Sequence, residues 1–301
     1  MTTGTIIDVA VPVAVFVMMF ALGLGLAIAD FQYTLKRPRG LFVGVASQIV
    51  LVPIVGFSFV SAQNHEPNLA LGIVLLTLCP GAAMSNVLTR LAGGDVALSV
   101  SLTAVSNLLA AATLPALSLL AADHFLGTEP VRVEFGDLTL RVVAVVTVPV
   151  LLGMAIRHLL PRLIRRYEPA IFRICFAVFI VIIAWSFAEV ADTLQTGLIL
   201  VGWQLAVLTL ILLALGFAVG KVSGLSGPQQ TTIAVETGVQ NSGLGLAVGA
   251  MLWGEAAGFP VFATPSVVYA ALTYVMTFPV VILISRALRR PRGEDNTPMR
   301  L

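Results

Sequence analysis

The chain has 301 residues, 58% of them hydrophobic and 11% charged, with a formal net charge of +2 and a mean hydropathy of +1.00. A soluble domain carries an apolar share of about 45–50% and about 25% charged residues, so this composition excludes one and points to an integral membrane protein. The two cysteines, Cys79 and Cys175, both fall in apolar stretches, which suggests neither a disulfide framework nor a zinc site.

A spanning helix needs about 20 predominantly apolar residues to cross about 30 Å of hydrocarbon. Windows of that kind predict helices over 6–29, 40–62, 67–91, 95–121, 139–160, 168–190, 197–222, 229–253 and 260–287, nine in all. The first lacks a basic leader and its apolar run is too long for a signal peptide, so it reads as a retained span. Connections are short except for 122–138, leaving no room for a separate soluble domain. The fold class expected is an all-α membrane protein with nine transmembrane helices.

Basic residues sort to one side of such a nine-span chain. Lys36, Arg37 and Arg39, then Arg90, then Arg157, Arg162, Arg165 and Arg166, then Lys221, then the tail over 286–292 all share it, and that side should be cytoplasmic. The other side holds Arg132 and Arg141 beside Glu66, Asp123, Glu129, Glu134, Asp137, Glu189, Asp192 and Glu255. The expectation is a multi-pass protein of the cell's inner (plasma) membrane, with its N-terminus outside and its C-terminus cytoplasmic. The tail "RALRRPRGEDNTPMR" is explained by topology and anionic headgroups, and no nucleic-acid partner is expected. No Walker loop, GxSxG elbow or His/Cys cluster is present, so an enzyme is not expected.

Two spans are built unusually. "AVETGVQNSGLGLAVG", residues 234–249, sets Glu236, Gln240, Asn241 and Ser242 inside an apolar helix, where a charged side chain costs about 2.5–3.5 kcal/mol. No Lys or Arg falls near the centre of any predicted span; Arg173 is the nearest candidate, so a bound cation or a proton must balance the carboxylate. The glycines make helix geometry easy to break, and unwinding frees carbonyls that, with Glu and Gln oxygens, suit a hard cation. In "LCPGAAMSNVLTRLAGGD", Pro80 and Gly81 predict a second break before Ser85 and Asn86. Only three residues separate Asn86 from Arg90, too few to cross half a bilayer, so either Arg90 snorkels or a vestibule reaches the break. Two Gly/Pro-interrupted spans in corresponding halves point to an inverted-repeat transporter with its site where the breaks cross. The next helix, "DVALSVSLTAVSNLLAAATLP", spaces Ser99, Thr103 and Ser106 on one face, either toward the first break or as helix-packing hydroxyls. Gln48 in "VASQIVLVP" reads by itself as one tolerated polar residue.

The segments "MFALGLGLAIADF", "CPGAAMSNVLTRLAGGDVALSVSLTAVS" and "ETGVQNSG" together resemble the bile acid:sodium symporter family over nearly the whole chain, in its nine-helix form. The resemblance implies a panel domain over 1–34 and 134–194 and a core domain over 35–133 and 195–301, with two broken helices crossing in the core. It implies one sodium ion held by Ser85, Asn86, Ser99, Thr103 and Glu236, and a second held by Gln48, Gln240, Glu236 and the backbone carbonyls of Thr237 and Val239. The usual second glycine after "CP-G" is Ala82 here, and the last helix offers Tyr269, Thr273 and Tyr274 in place of the His-Asn pair of bile-acid-binding relatives. An organic anion is therefore expected as substrate, whether bile-acid-like, a steroid sulphate or a small carboxylate such as pantoate, held by Asn241, Ser242, Ala83, Met84, Tyr269 and Thr273. The half-helix N-termini would present free N–H groups to it. A monomer is the working expectation for assembly.

Sodium-coupled symport by alternating access is thus the leading reading. Proton coupling through Glu236 is the alternative within transport, and a passive channel or receptor the alternative outside it. A neutral Glu236 hydrogen-bonded to Gln240 or Asn86 is the reading without any ion.

Overall fold

The computed structural model describes residues 9–26, 38–63, 65–127, 133–189, 191–253 and 261–289. Within them the regular structure is helical: α1 Val11–Gly25, α2 Pro38–Ser61, α3 Pro67–Leu78, α4 Ala83–Leu91, α5 Val96–Leu126, α6 Phe135–Leu159, α7 Pro161–Glu189, α8 Ala191–Val222, α9 Gly227–Gly238, α10 Ser242–Trp253 and α11 Thr264–Arg289. Among the described residues, five segments are long and apolar enough to cross a membrane: Pro38–Ser61, Val96–Leu126, Phe135–Leu159, Gln195–Val222 and Val261–Ile284. The start of the first expected helix, Lys36, Arg37, Glu129, Arg132, Glu255 and the basic tail beyond Arg289 lie outside the described residues.

Helix ends follow local chemistry. The Glu66 carboxylate caps α3 by accepting from the amides of Asn68 and Leu69, with Pro67 opening the first turn. Asp95 caps α5 through the amide of Leu98. Ser226 and Gln229 form a capping box on α9. Two π turns, Ser47–Leu51 in α2 and Val143–Thr147 in α6, each precede a proline, Pro53 and Pro149. A proline ring clashes with the carbonyl four residues back, which in both cases lies inside the widened turn.

The helix expected over 168–190 starts earlier, at Pro161, directly after α6. Charge suggested a loop here, but Pro161 fits a first helical position and starts an arginine-bearing turn that follows Leu160 without a linker.

Packing divides the helices into neighbours. α1 packs chiefly against α6 and α7, while α8 packs chiefly against α9 and α11. The α1–α6 contact is backbone on backbone: a Cβ on Gly23 would lie 2.2 Å from the Val150 carbonyl oxygen, and one on Gly153 would lie 2.5 Å from that of Phe20. Small residues at such crossings let helices approach closely where no hydrophobic force drives them together.

Candidate functional site

Two helices are interrupted, and the interruptions touch. α3 ends at Leu78, the chain runs extended through Ala82, and α4 begins at Ala83. α9 ends at Gly238 and α10 begins at Ser242. Gly81 and Gln240 form an antiparallel bridge, and the amide of Asn241 donates to the carbonyl of Pro80 at 2.9 Å. Each break thus satisfies part of the other's freed backbone, which is what makes irregular chain tolerable inside an apolar protein.

Around this junction the structure gathers polar side chains from three helices, α4, α5 and α9. Glu236, at the end of α9, is 1% exposed. Its Oε1 accepts from the hydroxyls of Ser85 at 2.7 Å, Ser99 and Thr103 at 3.2 Å, and its Oε2 from Thr103 at 3.1 Å. Asn86 Oδ1 faces the same Ser99 hydroxyl at 2.8 Å and Thr103 at 3.4 Å. Each hydroxyl carries one proton. Ser99 Oγ nevertheless contacts three oxygens, those of Glu236, Asn86 and Thr89, and Ser85 Oγ contacts both Glu236 and the carbonyl of Ala82. Acceptor oxygens outnumber protons, and that is the donor set a hard cation takes.

A second polar cluster lies on the other side of the break. Gln48, placed by the π turn of α2, donates Nε2 to the carbonyl of Glu236 at 2.8 Å. Gln240 donates Nε2 to the carbonyl of Thr237 at 2.5 Å. The Oε1 atoms of both glutamines are buried and have no hydrogen-bond partner among the described residues. Val239 is buried at the α9 terminus, its amide spent on the carbonyl of Val235. Gly81 separates the two clusters closely: a Cβ there would stand 2.6 Å from Glu236 Oε2 and 3.1 Å from Gln48 Nε2. Among the described residues no three His, Cys, Asp or Glu side chains come together, and the one ion pair, Arg157–Glu168, is elsewhere. Arg173 is exposed and donates its Nε to the carbonyl of Pro169 at 3.1 Å. A single carboxylate among neutral oxygens matches one or two monovalent ions better than a divalent metal cage.

Next to the junction is a cavity of 310 Å³, walled by apolar side chains of α1 and α7, among them Met18, Phe176 and Phe179. Ala82, Ala83 and Met84 from the start of α4, and Asn241, Ser242 and Gly243 from the start of α10, also line it, with Asn241 and Ser242 contributing polar side chains. No side chain caps α4, whereas Asn241 Oδ1 caps α10 through the amide of Leu244. Tyr269 and Thr273 do not line this cavity; both are buried, while Tyr274 and Ser266 line it in their place. The Tyr269 hydroxyl instead donates to the carbonyl of Gly238 at 2.6 Å and accepts from the amide of Gln240 at 3.3 Å, holding the second break in shape.

Of the hydroxyl stripe on α5, Ser99 and Thr103 reach Glu236, but Ser106 does not join them. Asn107 continues the four-residue step and donates to the carbonyls of Thr103 at 2.7 Å and Gly81 at 3.3 Å. Repeating the spacing of four once more from Thr103 was the signal that identifies it.

An all-helical membrane chain with polar, unwound segments meeting beside a cavity has the build of a transporter. The profile of the sodium bile acid symporter family matches residues 12–197. The sodium-dependent transporter YocS of Bacillus subtilis strain 168 is 31% identical over 259 residues, 84% of this chain and 76% of its own length. The ileal sodium/bile acid cotransporter of Homo sapiens is 29% identical over 245 residues, 80% of this chain and 69% of its own. The probable sodium/metabolite cotransporter BASS1 of Arabidopsis thaliana chloroplasts is 27% identical over 260 residues, 85% of this chain and 62% of its own. The chain belongs to the sodium bile acid symporter family. It is a sodium-dependent, multi-pass membrane transporter of that type and not an enzyme.

Proposed function

We propose that the protein is a symporter in which two sodium ions bind at the crossed breaks and drive uptake of an organic anion. One ion takes Ser85, Asn86, Ser99, Thr103 and Glu236. The other takes Gln48, Gln240, Glu236 and the carbonyls of Thr237 and Val239. The observation that carries the reading is the surplus of buried oxygens around a carboxylate that, among the described residues, has no cationic side chain against it. Unpaired, such a charge costs about 3–5 kcal/mol, which an ion within the cage offsets.

The anion sits in the 310 Å³ cavity, its charged head against the first turns of α4 and α10 and its body against Met18, Phe176 and Phe179. That volume lies at the lower end of the range for drug-sized ligands, and the apolar walls favour an amphipathic anion, a carboxylate or sulphate on a hydrocarbon body. Asn241 and Ser242 are the side chains for direct contact. Counting each interrupted pair as one traversal gives nine crossings, with α1, α6 and α7 as panel and the remainder as core. The packing of α1 on α6 and α7 supports that grouping. The N-terminus faces outward, and the core moves against the panel to alternate access.

The test is Glu236→Gln in proteoliposomes under an imposed sodium gradient. Accumulation of a radiolabelled carboxylate or steroid sulphate is expected to vanish, with the circular-dichroism spectrum unchanged. Full accumulation by the folded variant refutes the reading. Wild-type accumulation driven by a pH gradient in sodium-free buffer replaces sodium with a proton as the coupling ion.

A further inference from the structure

A second cavity, of 550 Å³, shares no lining residue with the first and lies where the ends of α1 and α6 meet the start of α7. Arg157, His158 and Arg165 supply its polar wall, with Leu26 and Met154 among the apolar residues behind them. Arg157 is fixed in place: its Nη1 donates to the carbonyl of Leu24, near the end of α1, at 2.7 Å and to Glu168 Oε2 at 2.7 Å. Both bonds use one nitrogen of the guanidinium, so three of its five N–H donors sit on Nη2 and Nε. Glu168 pairs with Arg157, and among the described residues no carboxylate pairs with Arg165 on the cavity wall. Arg162 and Arg166 extend the positive charge along the same turns of α7, Arg166 lying 5.5 Å from the centroid of the Tyr167 ring.

The surroundings of this cationic pocket are oily. Leu159 is 74% exposed, Leu160 50% and Leu163 51%, all beside the arginines. A soluble anion leaves these leucines in water, whereas a phospholipid places its phosphate among the guanidinium groups and its acyl chains over the leucines. We propose that this cavity binds the phosphate headgroup of an anionic phospholipid at the membrane interface, with Arg157 and Arg165 as its direct partners. The site is independent of the transport reading, since it lies on other residues.

Native mass spectrometry of the full chain in neutral detergent tests it, titrating phosphatidylglycerol, phosphatidylcholine and inorganic phosphate in parallel. Phosphatidylglycerol is expected to be retained preferentially. The Arg165→Gln variant should lower its affinity about fivefold, the worth of one interfacial arginine. Lys221→Gln, at an exposed cation on the last turn of α8, should leave it unchanged, and melting curves should show both variants folded. Equal retention of phosphatidylcholine, equal loss in both variants, no loss in Arg165→Gln, or inorganic phosphate binding as tightly as the lipid each overturns the proposal.

Discussion

Gly81 shows how little room separates the two polar clusters. A methyl there would meet Glu236 Oε2 at 2.6 Å and Gln48 Nε2 at 3.1 Å, so Gly81→Ala must displace the carboxylate from its hydroxyl ligands. Sodium-dependent uptake is expected to fall at least about tenfold. The melting temperature in detergent should drop only by several degrees, because overpacking costs about 1–3 kcal/mol. Tyr269 predicts a different balance. Tyr269→Phe keeps the ring but leaves the carbonyl of Gly238 and the amide of Gln240 without their buried partner, a loss of about 1–3 kcal/mol that denaturant titration should detect. The sequence made Glu236, Ser85, Asn86 and Gln240 conspicuous because each is a polar side chain with no business in lipid unless it is matched. Gln48 was not conspicuous, since one glutamine in a helix says nothing of a partner 188 residues away, and only the family resemblance singled it out. Tyr269 lies against the second break and off the cavity wall, because a tyrosine's position in the sequence does not say whether its hydroxyl reaches a ligand or a carbonyl.

The elements themselves were legible where hydrophobicity and a breaker act together. Pro80 and Gly81 announce the gap between α3 and α4, and Gly238 the gap between α9 and α10. That the gaps pair with one another, Gly81 against Gln240, depends on tertiary placement and left no trace in either segment. The π turns were equally silent, although Pro53 and Pro149 give their physical reason afterward. The α1–α6 contact predicts its own sensitivity. Gly153→Val would set side-chain atoms where the carbonyl oxygen of Phe20 and the amide of Leu24 already lie, at 2.5 and 2.6 Å from the first added carbon. Backbone cannot yield as a flexible side chain does, so the helices must separate. The expected result is a melting temperature lowered by about 10 °C or more, or a loss of folded yield, whereas Gly136→Ala, where an added Cβ meets nothing, should leave it unchanged.

At the scale of the whole molecule, the proposed alternating access would require α1 and α7 to part from α4 and α10, all four of which line the cavity. The contact that would have to open is visible: a Cβ on Gly243 would lie 3.5 Å from Val15 Cγ2 and 3.4 Å from Phe179 Cε2. The Cγ2 position of Val15 is where a cysteine sulfur at 15 can stand, so cysteines at 15 and 243 are a candidate pair for a disulfide, which needs a Cβ separation of roughly 3.5–4.5 Å. In a Cys175→Ala background, so that the half-buried native thiol does not compete, oxidation of Val15→Cys/Gly243→Cys should tie α1 to α10. If the two bodies rock against each other, the oxidised protein accumulates no substrate and dithiothreitol restores uptake, while each single-cysteine variant transports at the same rate with and without oxidant. Sodium binding should survive the lock, since Ser85, Ser99, Thr103 and Glu236 all lie on one side of the bond and keep their mutual contacts. A fully cross-linked protein that still accumulates substrate at the reduced rate would mean that α1 and α10 travel together. The moving boundary would then have to be sought between helices that this cavity does not separate.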